Sequence, residues 1–148
     1  FSQKVKIDYD KFKDKTFVSI ESPRFTQKSV VCRYSIHGAF NGQSMPKPIE
    51  VFELKISTSA RKWFFYPTPN LYILTNSRIE LINPYYQSEV ADHFGLLYEY
   101  AFYAISRENL EQIANSDNPQ FQYGFIESKI NPKLIKSILA SSAPQVSP

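Results

Sequence analysis

Apolar and polar side chains alternate along much of this chain, which is the pattern of β-strands with one buried and one solvated face. The alternation is clearest over residues 49–57, where Phe52, Leu54 and Ile56 are separated by polar side chains. The same alternation, or a run of β-forming residues, predicts further strands over residues 4–10, 16–22, 29–37, 62–66 continuing at 71–75, 78–82 and 97–105. The pattern therefore predicts a mainly β protein.

A β-hairpin is predicted on either side of Asn76-Ser77. A two-residue turn at that point sets Thr75 opposite Arg78. The strand before this hairpin is interrupted by Pro67-Thr68-Pro69, and prolines cannot donate hydrogen bonds to a neighbouring strand. We therefore expect this strand to bend at an edge of the sheet.

Two segments lack a clear strand period. Residues 38–48 combine glycine, proline and asparagine and are predicted to form a loop. Residues 83–95 form the longest ambiguous segment, in which residues 89–94 fit one helical turn. The strand that follows has Tyr98, Tyr100 and Phe102 on one face, and we expect that face to be buried.

The chain changes character after residue 105, where the period of a helix replaces that of a strand. Ser106 is placed to cap a helix with Leu110, Ile113 and Ala114 on one face. An extended segment over residues 121–127 separates this helix from a second one.

The second helix is predicted to begin at Asn131-Pro132, an N-cap followed by proline in the first helical position. Its apolar side is formed by Leu134, Ile135, Ile138 and Leu139. Both helices are short, so we expect them to dock on the sheet. The small, polar residues 141–148 are predicted to be a disordered C-terminal tail.

These elements predict an α+β protein that is mainly β, with an antiparallel β-sandwich or open barrel of about seven strands and a C-terminal helix-strand-helix. A chain of 148 residues is long enough to bury one core without a metal or disulfide. No internal repeat or boundary divides it, so residues 1–140 are predicted to form a single domain.

Charge and apolar content exclude some classes of partner. The net charge is +3, from 17 basic and 14 acidic residues spread along the chain, which argues against nucleic acid. A membrane-spanning helix needs about 20 consecutive apolar residues, and no apolar run in this chain approaches that length, so no membrane span is predicted. Cys32 is the single cysteine and excludes an intramolecular disulfide.

The first residues indicate export. The chain begins Phe1-Ser2-Gln3 without an initiator methionine, and such residues are similar to the end of secretory signal peptides in AT-rich bacteria. We therefore expect an exported protein, periplasmic or extracellular, while a cytoplasmic location is left open.

Few side chains are arranged for catalysis or metal binding. Cys32 and His37 point to opposite faces of one strand, so we interpret Cys32 as a buried apolar residue and His37 as a surface residue at the strand end. In the segment 83–95, His93 with Asp92 or Glu89 is the alternative, as the acid/base pair of a small enzyme. These groups are too few for a zinc site, and we predict neither a metal nor a cofactor.

Aromatic residues are the most informative feature for function. The chain has 12 Phe, 10 Tyr and one Trp, including four consecutive rings at residues 63–66. On a strand two of these four face away from the core unless a second layer covers them, and the predicted hairpin brings them close to residues 85 and 86. We therefore predict one contiguous binding surface formed by Trp63, Tyr66, Tyr85 and Tyr86, with Arg61 and Lys62 at its rim.

The leading functional hypothesis is a non-catalytic binding or assembly module that contacts a protein or carbohydrate partner through this aromatic surface. The sequence lacks a glycine-rich phosphate loop, a dinucleotide fingerprint, a nucleophile elbow and a His-Glu-x-x-His motif, which counts against the common enzyme classes. The pattern does not predict an oligomeric state.

Overall fold

The structure, a computed structural model, describes residues 4–63, 70–91 and 95–144. Its strands are β1 (Lys6–Asp10), β2 (Lys15–Glu21), β3 (Phe25–Gln27), β4 (Val30–Asn41), β5 (Val51–Ala60), β6 (Leu71–Leu74), β7 (Arg78–Leu81), β8 (Tyr85–Ala91), β9 (Leu96–Ser106), β10 (Gln120–Tyr123) and β11 (Ile126–Lys129). Its helices are α1 (Arg107–Ala114) and α2 (Pro132–Ser141). The predicted α+β, mainly β class is confirmed.

The strands form two antiparallel sheets. The large sheet has seven strands in the order β1-β2-β4-β5-β9-β8, and β3 pairs with β4 beyond the end of β2. The small sheet has four strands in the order β11-β10-β6-β7. The strand count exceeds the prediction because β3 is very short, β8 lacks a clear alternation, and the segment 121–127 contributes a hairpin instead of one extended piece.

The core lies between the inner face of the large sheet and a second layer made of the small sheet and the two helices. On β5 the inner residues Phe52, Leu54 and Ile56 are buried, and the residues between them are more exposed. The inner face predicted for β4, consisting of Val30, Cys32, Tyr34 and Ile36, is buried as well. Burying an aliphatic or phenylalanine side chain contributes about 1.5–3 kcal/mol, so this face is a main source of stability.

The two helices begin where the sequence predicts. The Ser106 hydroxyl accepts a hydrogen bond from the Asn109 backbone N–H at 3.0 Å, and the Asn131 side chain accepts one from the Lys133 N–H at 3.0 Å. The predicted apolar sides are buried at Leu110, Ile113, Ala114, Leu134, Ile135 and Ile138. The helices pack on each other and on the inner face of the large sheet.

Arg107 joins the end of α2 to the start of β5. Its guanidinium donates to the carbonyls of Ile49 at 3.2 Å, Ser142 at 3.1 Å and Leu139 at 2.7 Å. Its backbone N–H donates to the Glu50 carbonyl at 2.8 Å, and the Ile49 N–H donates to the Ser142 carbonyl at 2.9 Å. One partly buried cation therefore satisfies carbonyls from two segments distant in sequence.

The segment 141–148, predicted as a tail, begins inside this contact. Ser141 is the last residue of α2, and Ser142 is fully buried with its hydroxyl bonded to Arg107 at 3.0 Å. Residues 145–148 lie outside the described residues.

The hairpin of β6 and β7 is confirmed, but its turn has three residues instead of two. Leu74 lies opposite Arg78, so the predicted pairing of Thr75 with Arg78 is wrong by one residue. The Thr75 hydroxyl accepts from the Ser77 N–H at 3.0 Å and donates to the Ser77 carbonyl at 2.7 Å. Thr75 therefore belongs to the turn, because its side chain closes it.

The strand predicted at 29–37 continues to Asn41, so the predicted loop begins too early. Gly38 lies within this strand because its missing side chain makes room for an aromatic ring. A Cβ atom at Gly38 would lie 2.9 Å from two ring carbons of Phe52. Here glycine reflects close packing within a sheet instead of a turn.

The segment 83–95 was predicted to be irregular, and this is wrong for most of it. Residues 85–91 form β8, which pairs continuously with β9 from Tyr85 opposite Phe102 to Ala91 opposite Leu96. At residues 89–91 the predicted helical turn is replaced by this strand. The strand predicted over 62–66 also differs, because β5 ends at Ala60, residues 62 and 63 lie outside any strand, and residues 64–69 lie outside the described residues.

Candidate binding face

The outer face of the large sheet carries no further layer among the described residues. Tyr98, Tyr100 and Phe102 lie on this face and are partly exposed, so the prediction that they face the core is wrong. The buried residues of β9 are the alternate ones, which include Tyr103 and Ile105. Both faces of β9 are rich in apolar residues, and the pattern alone does not show which of them is covered.

The strand register arranges the outer side chains in rows that cross β4, β5, β9 and β8. The first row contains Ser35, Lys55, Phe102 and Tyr85. The second row contains Arg33, Ser57, Tyr100 and Gln87. The third row contains Val31, Ser59, Tyr98 and Glu89. We call these three rows the open face; successive rows are about 6.6 Å apart, two residues along a strand.

The rings of the open face are held by contacts with one another and with one cation. The Lys55 Nζ atom lies 4.8 Å from the centroid of the Tyr100 ring and 5.7 Å from that of Phe102. The centroids of Tyr85 and Phe102 are 5.9 Å apart. Cation–π contacts of this kind orient the rings and restrict their rotamers.

Tyr100 keeps its proton at neutral pH. Its hydroxyl donates to Glu89 Oε1 at 2.8 Å. Burial, and then this hydrogen bond, raises the pKa of Tyr100 to about 12. The open face therefore presents a neutral phenol beside an aromatic surface.

Two grooves lie on the outer side of the sheet. The first, of about 270 Å³, is lined mainly by polar side chains that include Arg24, Arg33, Ser57, Ser59 and Tyr98. The second, of about 670 Å³, adjoins the first row and is lined by residues that include Phe17, His37, Glu53, Tyr85 and Phe102. A groove of several hundred Å³ with both rings and polar groups fits the dimensions of ligand sites.

An ion pair borders the first groove. Arg33 forms an ion pair with Glu21 at 3.2 Å, and the Nε atom of Arg33 is buried without a hydrogen-bond partner among the described residues. Unsatisfied buried donors are uncommon in folded proteins, and a ligand group is one way to satisfy them.

His37 was interpreted as a surface residue at the end of its strand, which is wrong because β4 continues for four more residues. His37 is half-buried, and its Nε2 atom lies 2.8 Å from the Ser35 hydroxyl. Burial lowers the pKa of His37, while the nearby Glu53 carboxylate acts in the opposite direction. The imidazole is therefore neutral at pH 7.

Cys32 packs in the core, which confirms its interpretation as a buried apolar residue. Its side chain is fully buried on the inner face of β4. Burial raises the pKa of its thiol to about 12, so the reactive thiolate is absent at neutral pH.

We expect the Cys32 thiol to resist alkylation by iodoacetamide at pH 8 in the folded protein and to react fully in urea. Mass spectrometry of intact protein after a fixed labelling time measures this difference. Labelling at equal rates with and without urea would show that the strand opens readily.

The surface predicted from the sequence is not assembled by its described members. Trp63 is 48% exposed, and Arg61 and Lys62 beside it are exposed, as predicted. Tyr85 lies on the open face and is 64% exposed, whereas Tyr86 points to the inner face because consecutive strand residues alternate.

Distance along the sheet separates the two groups further. Ala60, the last residue of β5, lies opposite Leu97, whereas Tyr85 lies opposite Phe102. Five residues of strand span about 17 Å, so Arg61 and Tyr85 lie toward opposite ends of β9. Tyr66 lies outside the described residues.

Tyr86 instead contacts a buried carboxylate that the sequence analysis did not single out. Its hydroxyl donates to Glu99 Oε2 at 2.8 Å, and Glu99 is only 1% exposed. Burial, and then this hydrogen bond, raises the pKa of Tyr86 to about 12. The signal was available in the sequence, since Glu99 shares its strand face with Ala101, Tyr103 and Ile105.

The alternative catalytic group is only partly described. Asp92 and His93 lie outside the described residues, and Glu89 lies on a strand of the open face. Within residues 4–63, 70–91 and 95–144, no three His, Cys, Asp or Glu side chains are grouped closely enough to hold a metal ion. Neither described helix has the length and apolar character needed to cross a membrane.

No protein-family model, no curated protein and no solved structure matches this chain. The role of the open face is therefore inferred from its own geometry and chemistry.

Proposed function

We propose that this protein is a non-catalytic binding or assembly module that contacts a protein or carbohydrate partner through the open face. The proposal rests on four rings, those of Tyr85, Tyr98, Tyr100 and Phe102, which are at least partly exposed on a sheet face that no other described element covers. Aromatic side chains are enriched at the centres of interfaces because they bury a large area and lose little conformational entropy.

The polar groups around the rings support the same function. Arg33, Ser57 and Ser59 line the first groove, next to the rings of Tyr98 and Tyr100. Rings can stack on the C–H face of a sugar or on an apolar peptide side chain, while the surrounding hydroxyls and guanidinium bond to polar groups of the partner. The mixture of rings and hydrogen-bonding groups favours a partner that is itself amphipathic.

One specific observation favours a second function, hydrolysis. The Ser35 hydroxyl lies 2.8 Å from His37 Nε2, which is the distance of a nucleophile–base pair. However, Ser35 is only 5% exposed, and β4 pairs with β2 and with β5 at both residues. The backbone N–H groups at Ser35 and His37 are thus engaged in the sheet and cannot form an oxyanion hole. Binding is therefore the better supported function.

The proposal is tested with a variant that removes two rings, Tyr98→Ala together with Tyr100→Ala. Wild type and variant are compared on an array of defined oligosaccharides and by photo-cross-linking from position 57 in cells that produce the protein. Loss of two central aromatic contacts is expected to weaken binding at least about tenfold. Circular dichroism and thermal unfolding verify that the variant is folded.

Trp63→Ala is the matched control, because Trp63 is exposed but lies outside the open face. We expect it to bind like wild type. If Trp63→Ala abolishes binding and the double variant does not, the surface predicted around residues 61–63 is the contact site and the open face is not. Export to the periplasm or the exterior is proposed as well, and cell fractionation with an antiserum tests it.

A further inference from the structure

β8 is an edge strand of the large sheet. Among the described residues it pairs only with β9, through seven consecutive positions. Its other side therefore presents a row of backbone N–H and C=O groups to which no described strand bonds. Such an edge is a template for pairing with another strand.

The two outer strands of the large sheet differ in how they are protected. β1, at the opposite edge, carries charges at Lys6, Asp8 and Asp10, and charged residues of this kind discourage pairing. β8 has the sequence YYQSEVA with one charge, Glu89, and no proline or interrupted pairing. Its exposed side chains include Ser88 and Val90. β8 is thus the long and nearly uncharged edge.

We propose that β8 pairs antiparallel with β8 of a second copy of this chain, so that the two large sheets join edge to edge. The register that uses all seven residues is centred on Ser88. It sets Gln87 opposite Glu89 of the partner subunit, and Tyr86 opposite Val90 of the partner subunit. In this register the Gln87 amide lies opposite a carboxylate, and the Tyr86 ring lies opposite an aliphatic side chain. A register centred on Glu89 would instead place two carboxylates opposite each other.

This pairing is independent of the function proposed for the open face. A two-fold axis perpendicular to the sheet keeps the open faces of both copies on the same side, next to each other. The rings at Tyr85 of each copy then lie within one extended surface. The pairing thus doubles the area available to a long partner without altering the site in either copy.

An edge-to-edge contact of one strand buries less surface than most stable dimers, so its affinity is expected to be modest. Sedimentation velocity between about 5 and 500 µM should show a reversible monomer–dimer equilibrium. A protein that remains monomeric over this whole range would overturn the proposal.

Ser88→Lys is the decisive variant because it places two ammonium groups opposite each other at the centre of the interface. Ser88 is exposed, so the fold of each copy is expected to stay intact. The dissociation constant should rise at least about tenfold. Ile7→Lys on β1, where Ile7 is 62% exposed, is the matched control and should dimerise like wild type.

A second variant, Ser88→Cys, tests the register itself. Directly opposite residues of antiparallel strands have Cα atoms about 4.5–5.5 Å apart, which allows a disulfide between two copies. Mild oxidation should yield a covalent dimer, while Ile7→Cys should not, and the buried Cys32 should not compete. A dimer that persists in Ser88→Lys, or no cross-link in Ser88→Cys, would show that a different surface or register is used. Failure of ligand binding in a normal dimer would concern only the open face.

Discussion

Replacing Arg107 by alanine should lower the free energy of unfolding by about 3 kcal/mol, because several hydrogen bonds to a charged group are lost at once. The Leu139 carbonyl at 2.7 Å and the two carbonyls at Ile49 and Ser142 would lose their side-chain donor near the end of α2. The Ser142 and Leu139 carbonyls keep one further donor each, the Ile49 N–H and the Ser142 hydroxyl, so the expected loss comes mainly from the charged hydrogen bonds themselves. Urea unfolding followed by circular dichroism measures the change.

Two controls separate this effect from loss of charge alone. Arg107→Lys keeps the charge but offers one compact ammonium in place of a planar fork, so an intermediate loss is expected. Arg61→Ala removes an exposed cation and should change stability by less than about 0.5 kcal/mol. If Arg107→Ala is as stable as Arg61→Ala, the guanidinium does not hold α2 to the sheet.

Gly38→Val should also cost about 3 kcal/mol, since it forces a branched side chain into a filled space. The added Cβ atom would lie 2.9 Å from the Phe52 ring and 3.1 Å from the Ile49 side chain. Ala39→Val, one residue further on the exposed side of the same strand, is the matched control and should be nearly neutral. Thermal and urea unfolding of both variants measure the difference.

A double variant identifies the Phe52 ring as the cause. Phe52→Leu alone destabilises the protein, but with Gly38→Val it vacates part of the space that the new side chain needs. The combined loss should therefore be smaller than the sum of the two single losses by at least about 1 kcal/mol. Strict additivity would show that Gly38 is required for its backbone and not for packing.

The sequence predicts elements well where one pattern stands alone. On β4 and β5 a single apolar alternation faces polar residues, and the buried faces agree with the prediction. The starts of α1 and α2 also agree, because Ser106 and Asn131 bond to backbone groups within three residues. Local chemistry of this kind is fully contained in the sequence.

The predicted buried face of β9 and the predicted irregular segment at β8 are wrong because contacts between distant parts of the chain determine both. β9 is apolar on both faces, and only the position of the second layer shows that Tyr100 lies outside and Tyr103 inside. β8 lacks a clear alternation because Ser88 and Val90, although they face inward, stay exposed. Neither outcome follows from periodicity.

The structure does not bring the described residues of the predicted surface together. Of the five predicted residues that the structure describes, Trp63, Tyr85, Arg61 and Lys62 are exposed, and only Tyr85 lies on the open face. The two groups are separated because Tyr86 points to the inner face and because Ala60 and Tyr85 pair with positions five residues apart on β9. Residue spacing predicts which side chains of one strand share a face. It does not predict which strands lie next to each other, and that arrangement determines the surface.

The central pairing of β5 with β9 has a consequence for how the chain reaches its fold. Ala60 pairs with Leu97, so β6, β7 and β8 lie within the loop that this pairing closes, at an entropic cost of about 3 kcal/mol. At a synthesis rate of about 5–20 residues per second, one edge of β5 stays unpaired for seconds before β9 has been synthesised. In that interval the nascent chain presents a strand edge that can pair with other chains, and the pairing of β5 with β9 ends this exposure.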